Sequence, residues 1–350
     1  MSKQKYRDPF FDNAKFMLMV LVVFGHLLQR FTGDNPLFRN VYYLIFLFHM
    51  PAFIAISGYF SKSFVDHGTI YGLIKKLILP YLFFQVIYTI YYTWIGWTSK
   101  MNFNFLVPRW ALWFLLSMFF WQVSLYLFKR LSALQGISLS LILSLSAGYL
   151  PIFGKVLAGQ RTMMFLPFFV IGYYLQKEQI QSFKESKWKH LAIVCLPLLY
   201  IGVQHTDKLT NAWVFGAAPY VDYLAVPVLG GMVRLLMIGL GLLGIIGFLG
   251  LVPKRKMFFT KWGKNTLTVY LLQGFFVKGI RQIPAIANLT LTLPGFLVVI
   301  LCSLLLTIGL ASNSVQKGKE YLLLTIKVGK EKVAALGCLL LGREFHGIDE

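Results

Sequence analysis

Two histidines, one arginine and one glutamine stand inside strongly apolar runs of this chain, where a polar side chain is costly and therefore informative. His26 lies about ten residues into the first run and His49 about twelve into the second, counted from the opposite side, so a helical rise of ~1.5 Å per residue puts both imidazoles near mid-depth. Arg234 sits about eight residues into a later run and Gln273 about six into the next, and the four are expected to meet in one interior cavity. An imidazole there suits general-base work, because histidine titrates near neutrality. Each of these residues also has a purely structural reading, as an interhelical hydrogen bond that holds helices together. Two histidines at matched depth beside an arginine, with no carboxylate to neutralise it, favour function.

Among the 13 acidic residues none falls clearly within an apolar run, although Asp12 and Asp222 flank runs. That pattern argues against proton- or cation-coupled transport, which usually relies on an intramembrane carboxylate. No metal site is expected, since no HxxxH spacing occurs and no carboxylate neighbours the histidines. Cys195, Cys302 and Cys338 are scattered and suggest neither a disulfide framework nor a metal site.

The elements that must hold these groups follow from composition. The 350 residues are 57% hydrophobic and only 13% charged, with a mean hydropathy of +0.66. A soluble domain carries about twice that share of charge. Ten apolar runs read as transmembrane helices, several of them shorter than the usual ~20 residues and so expected to extend into the loops or to sit where the bilayer is thinned: Phe16–Leu28, Leu37–Phe60, Leu77–Trp97, Trp110–Phe128, Ile137–Ile152, Met163–Leu175, Leu191–Val203, Val226–Leu249, Leu267–Val277 and Thr292–Ala311. Backbone polar groups in lipid must be satisfied within the segment, so these spans should be helices. The fold expected is all-α, a multi-pass bundle of about ten helices, with a membrane domain over residues 1–312 and a basic tail over 313–350. The tail mixes apolar runs with lysines, so it reads either as an interfacial helix or as a dispensable extension. The first run lacks a small-residue cleavage site and reads as an uncleaved helix rather than a signal peptide.

The formal charge of +21 fits topology better than nucleic-acid binding, for no basic groove interleaved with stacking aromatics is evident. With the N-terminus inside, about 24 basic residues fall on the cytoplasmic side and about 9 outside, which places both termini in the cytoplasm of a cell-membrane protein. Trp94, Trp97, Trp110, Trp113 and Trp121 read mostly as interfacial anchors.

Six strings in order carry a resemblance. They are Asp12-Asn13-Ala14-Lys15 with His26 eleven positions after Lys15, Phe48-His49-Met50-Pro51 running into Ser57-Gly58-Tyr59-Phe60, and Leu77-Ile78-Leu79-Pro80-Tyr81. Then come Ala111-Leu112-Trp113-Phe114-Leu115, Arg161 with Phe165-Leu166-Pro167-Phe168-Phe169, and Asn265 through Tyr270-Leu271-Leu272-Gln273. Together they resemble the acyltransferase-3 family of membrane O-acyltransferases, in particular its fucose 4-O-acetylase-like branch. One departure stands out: the family's tyrosine–leucine–leucine element usually ends in histidine, and here it ends in Gln273, which still donates and accepts hydrogen bonds.

The resemblance implies transfer of an acyl group, usually acetyl, from cytoplasmic acyl-coenzyme A to a hydroxyl of an envelope or extracellular carbohydrate. Acetyl-CoA enters as co-substrate, and no tightly bound cofactor is implied. His26 is expected as the base, with His49 beside it in the catalytic pair. Lys15, with Asp12 near it, would face the donor's phosphates. Arg161, Arg234, Trp113, Tyr270 and Gln273 would line the acceptor side or stabilise the oxyanion. Two other classes remain open: a transporter or flippase of an anionic or lipid-linked solute, and a structural or sensory relative without activity. The partners expected are the lipid bilayer, acyl-CoA and a carbohydrate acceptor.

Overall fold

Seven helices of the computed structural model are long and apolar enough to cross a membrane. The structure describes residues 7–321 apart from 207–208 and 288, and among these every regular element is helical. Ten helices, one for each expected span, are numbered α1 to α10. They are α1 (Pro9–Leu28), α2 (Pro36–Phe60), α3 (Leu79–Trp94), α4 (Trp113–Phe128) and α5 (Ala133–Ala147). The chain continues with α6 (Gly159–Tyr174), α7 (Leu191–Gln204), α8 (Gly230–Leu251), α9 (Thr266–Gln282) and α10 (Leu293–Ala311). Of the expected tail, residues 313–321 are helical, and residues 322–350 lie outside the described residues, as do Lys3 and Lys5.

Local signals set the helix starts. Asp8 caps α1 by accepting from the Phe10 amide at 2.9 Å, with Pro9 at the first helical position. Asn35 and Pro36 repeat the device at α2, where the Asn35 side chain accepts from the Leu37 amide at 2.8 Å. Helix α1 therefore begins about two turns before its apolar run, and His26 falls in its last turn rather than near its middle. Ahead of α3, Pro80 has no amide hydrogen to offer the carbonyl four residues back, and residues Ile74–Ile78 open into a wider π turn carrying Lys75 and Lys76.

Helices α1 and α2 form the centre, with 72% and 67% of their apolar windows buried, whereas α10 at 17% forms the rim and turns its Leu and Val side chains outward. Helix α2 crosses α6 at a contact only glycine permits. A Cβ on Gly58 would lie 2.0 Å from the Phe169 carbonyl oxygen, and one on Gly172 would lie 1.9 Å from that of Ala55. The obstacle is backbone on both sides, so no rotamer change relieves it. At the α1 start, Asn13 Nδ2 donates to the carbonyls of Pro253 and Arg255 at 2.8 and 3.0 Å, and its Oδ1 accepts from Thr260 Oγ1 at 2.6 Å. Those bonds tie the α8–α9 connection against the first turn of α1.

Replacing Gly172 by alanine should lower stability by about 3 kcal/mol, the upper range for overpacking a close contact. Thermal unfolding of the purified protein in detergent reads this; an unchanged midpoint would show that α2 and α6 do not meet as described.

Candidate active site

The helices enclose a cavity of about 810 Å³ whose lining runs from Lys15 and Lys76 at one end to Trp97, Gln29 and Arg281 at the other. Lys15 and His26 both face it, eleven positions apart on α1, or roughly 16 Å at the helical rise. Among the described residues, five lysines and arginines and two histidines line it, and no carboxylate does.

At the end near the N-terminus, Lys15 Nζ lies 2.8 Å from Asp12 Oδ1 and 5.6 Å from the Phe60 ring centroid. Arg7 grips the same carboxylate at 2.8 and 3.0 Å. Asp12 itself stays outside the cavity and acts by fixing Lys15. Gln122 Nε2 donates to Ser61 Oγ at 3.0 Å, while its Oε1 is buried without a partner.

In the middle, His49 is 1% exposed, and its Nδ1 lies 2.7 Å from the Ile45 carbonyl oxygen. A carbonyl only accepts, so Nδ1 carries the hydrogen and Nε2 keeps its lone pair. The Phe46 ring packs steeply inclined against both imidazoles, its centroid 4.5 Å from that of His49 and 5.9 Å from that of His26. Gln273 is fully buried on α9, and both polar atoms of its side chain lack partners. A buried amide left unpaired costs about 1–3 kcal/mol, so a ligand group in the cavity is the natural complement. Tyrosines hold α9 in register: Tyr88 and Tyr91 donate to the carbonyls of Leu271 and Phe275 at 2.8 and 2.6 Å, and Tyr270 to that of Ala111.

At the far end, His26 packs against Trp110 with ring centroids 4.5 Å apart, and its Nδ1 has no partner. Two loops dip inward to build this region. Trp110 holds φ at +45°, and Leu157 and Ala158, just before Arg161, hold +51° and +56°. Left-handed backbone at non-glycine residues costs of order 1–3 kcal/mol each and persists where the surroundings fix it. The loops are joined by the Leu157 amide donating to the Leu106 carbonyl at 2.6 Å. Arg161 lies over Trp113 at 5.1 Å and Phe215 at 5.6 Å, and Lys278 lies over Trp97 at 3.6 Å. Arg281 donates to the His26 backbone carbonyl and to Gln29 Oε1.

Of the expected residues, His26, His49, Lys15, Trp113, Arg161, Tyr270 and Gln273 share the cavity, and Asp12 supports it. Arg234 does not. It is 2% exposed, donates to the Ser144 carbonyl at 2.7 Å and to Gln160 Oε1 at 3.0 Å, and lies under the Tyr220 ring, so it ties α5, α6 and α8 together behind the cavity wall. The tryptophans also depart from the anchor reading. Trp97, Trp110 and Trp113 line the cavity, and Trp121 is buried with its indole donating to Thr162, while Trp94, 80% exposed, remains outward. Lys76, Lys278 and Arg281 are cavity residues the sequence did not single out.

Residues 8–311 match the pattern of a family described as an acyltransferase domain. The chain belongs to this family, acyltransferase-3, and is a multi-pass membrane acyltransferase-type protein. It is also similar to the nodulation protein NolL of Mesorhizobium japonicum, 42% identical over 86 residues. That match covers 22% of this chain and 22% of the relative. The NolL of Sinorhizobium fredii is 37% identical over 84 residues, covering 22% of this chain and 23% of the relative. The chain thus aligns with less than a quarter of the length of these curated relatives. No solved structure matches it.

Substituting Arg234 by glutamine should cost about 3 kcal/mol, since it removes charge-assisted hydrogen bonds to Ser144 and Gln160. Thermal unfolding of the purified protein in detergent reads this; an unchanged midpoint would show that Arg234 does not tie α5, α6 and α8 together.

Proposed function

We propose that this protein moves an acyl group, acetyl in the first instance, from cytoplasmic acyl-CoA to a hydroxyl of a carbohydrate acceptor. The reading rests on one observation: a carboxylate-free cavity carries Lys15 at one end and His26 at the other. The excess of basic residues on the N-terminal side supports a cytoplasmic position for that side. Lys15, steadied by Asp12, and Lys76 would bind the donor's phosphates there, and the pantetheine arm would extend along α1 toward His26. Trp110, Trp113 and Arg161 would receive the acceptor from the other side.

In the reaction, His26 takes the proton of the acceptor hydroxyl while its oxygen attacks the thioester carbonyl carbon. The tetrahedral intermediate collapses as the C–S bond breaks, and the coenzyme A thiolate takes the proton back from the imidazolium. Ester and free thiol are the products. Arg161 and the Gln273 amide, which line the same cavity, would steady the oxyanion, a role worth about 3 kcal/mol per donor in other acyl-transfer sites. His49 is a second candidate base, favoured by the bond that leaves its Nε2 lone pair free.

His26→Ala should lower kcat by about 100- to 10,000-fold, the usual contribution of a general base, while coenzyme A still protects the protein from heat. Transfer of radiolabelled acetyl from acetyl-CoA to surface glycans reads this. Full activity in His26→Ala together with inactivity in His49→Ala would hand the proton to His49. Full activity in both would remove the mechanism, and substrate-dependent flux without transfer would mark a transporter.

A further inference from the structure

The far end of the cavity holds more positive charge than acyl transfer needs. Lys278 is 6% exposed, and its ammonium faces the rings of Trp97 and Trp110, 3.6 and 5.5 Å from their centroids. Arg161 meets Trp113 and Phe215 through its guanidinium. Arg281 spends one terminal nitrogen on His26 and Gln29, and its Nε is buried without a partner. Among the described residues, the ion pairs lie elsewhere, at Arg7–Asp12, Lys15–Asp12 and Lys184–Asp8. A developing oxyanion occupies one or two donors. Three basic side chains gathered in a chamber with no carboxylate among its described lining residues are complemented by an anion, because buried positive charge is costly until it is paired.

We propose that the acceptor is an anionic glycan, held with a carboxylate or phosphate against Lys278, Arg281 and Arg161 and with the reacting hydroxyl at His26. This rests on the O-acyltransferase reading and names its substrate class. Trp110 touches His26 on one side and faces Lys278 on the other. The anion therefore sits on the acylated sugar or its immediate neighbour, not at a distant point of the polymer. The indole faces of Trp97 and Trp110 offer flat apolar surfaces to the sugar rings between the two groups.

The test uses the full-length protein in lipid nanodiscs, acetyl-CoA, and three acceptors sharing one backbone: a neutral oligosaccharide, its uronate counterpart and its phosphorylated counterpart. The expected result is a kcat/KM at least tenfold higher for a charged acceptor, and the uronate and phosphate arms identify which anion is meant. In Lys278→Gln the advantage should fall to twofold or less through KM, and Lys278→Arg should restore it. Equal use of all three acceptors by the unaltered protein overturns the proposal while leaving acyl transfer standing. A Lys278→Gln variant whose kcat falls equally with every acceptor overturns it too, since that marks oxyanion stabilisation. Should no transfer occur with any acceptor, calorimetric binding of the three oligosaccharides decides instead: tighter binding of a charged one supports the proposal, and equal binding ends it.

Discussion

Positive charge held inside a helix bundle without a carboxylate beside it is the constraint from which the rest of this molecule follows. Lys15, Lys76, Arg161, Lys278 and Arg281 face one cavity, and among the described residues only Lys15 of these has an acidic partner, Asp12. Aromatic faces offset part of the cost, at about 0.5–2 kcal/mol for each cation over a ring. Stripping an ion of its water costs several kcal/mol, so the rings alone leave a deficit. A cavity with room for anionic ligands, such as the one these residues line, would offset that deficit. The helices must therefore stand apart in the middle of the bundle and meet closely elsewhere, as α2 and α6 do at Gly58 and Gly172.

The cavity joins two kinds of chemistry along one helix. At the N-terminal end of α1, the Arg7–Asp12–Lys15 cluster presents a fixed ammonium, and at the other end Trp110 and Phe46 hold the His26 ring between them. Loops with left-handed backbone at Trp110 and before Arg161 deliver the groups that close the far end. Strain of that kind is tolerated where neighbouring structure over-determines the conformation, and here the two loops are bonded to each other.

Much of this was legible in the sequence. Long apolar runs announce helices because lipid offers the backbone no other partner, and each of the ten expected spans overlaps a helix, seven of them long and apolar enough to cross a membrane. The histidine pair, Lys15, Tyr270, Gln273, Trp113 and Arg161 stand out as polar or aromatic groups in ordered strings. What hydropathy hides is the direction in which a helix faces. Arg234 has the depth of a cavity residue but points to Ser144 and Gln160, and depth alone does not tell one face from another. Lys278 and Arg281 end the apolar run of α9 and so read as loop charges. The helix in fact continues to Gln282, and both turn into the cavity. The early start of α1 was signalled by Asp8-Pro9, a cap followed by a helix-opening proline, which a reading of apolar runs passes over.

The central claim is that one chamber receives donor and acceptor from opposite faces. Sealed proteoliposomes of uniform orientation test it most directly, with radiolabelled acetyl-CoA confined to the Lys15 side and a glycan acceptor present only on the Trp97 side. The account predicts label on the glycan while the acetyl-CoA stays enclosed. Labelling only when both substrates share one side would contradict it.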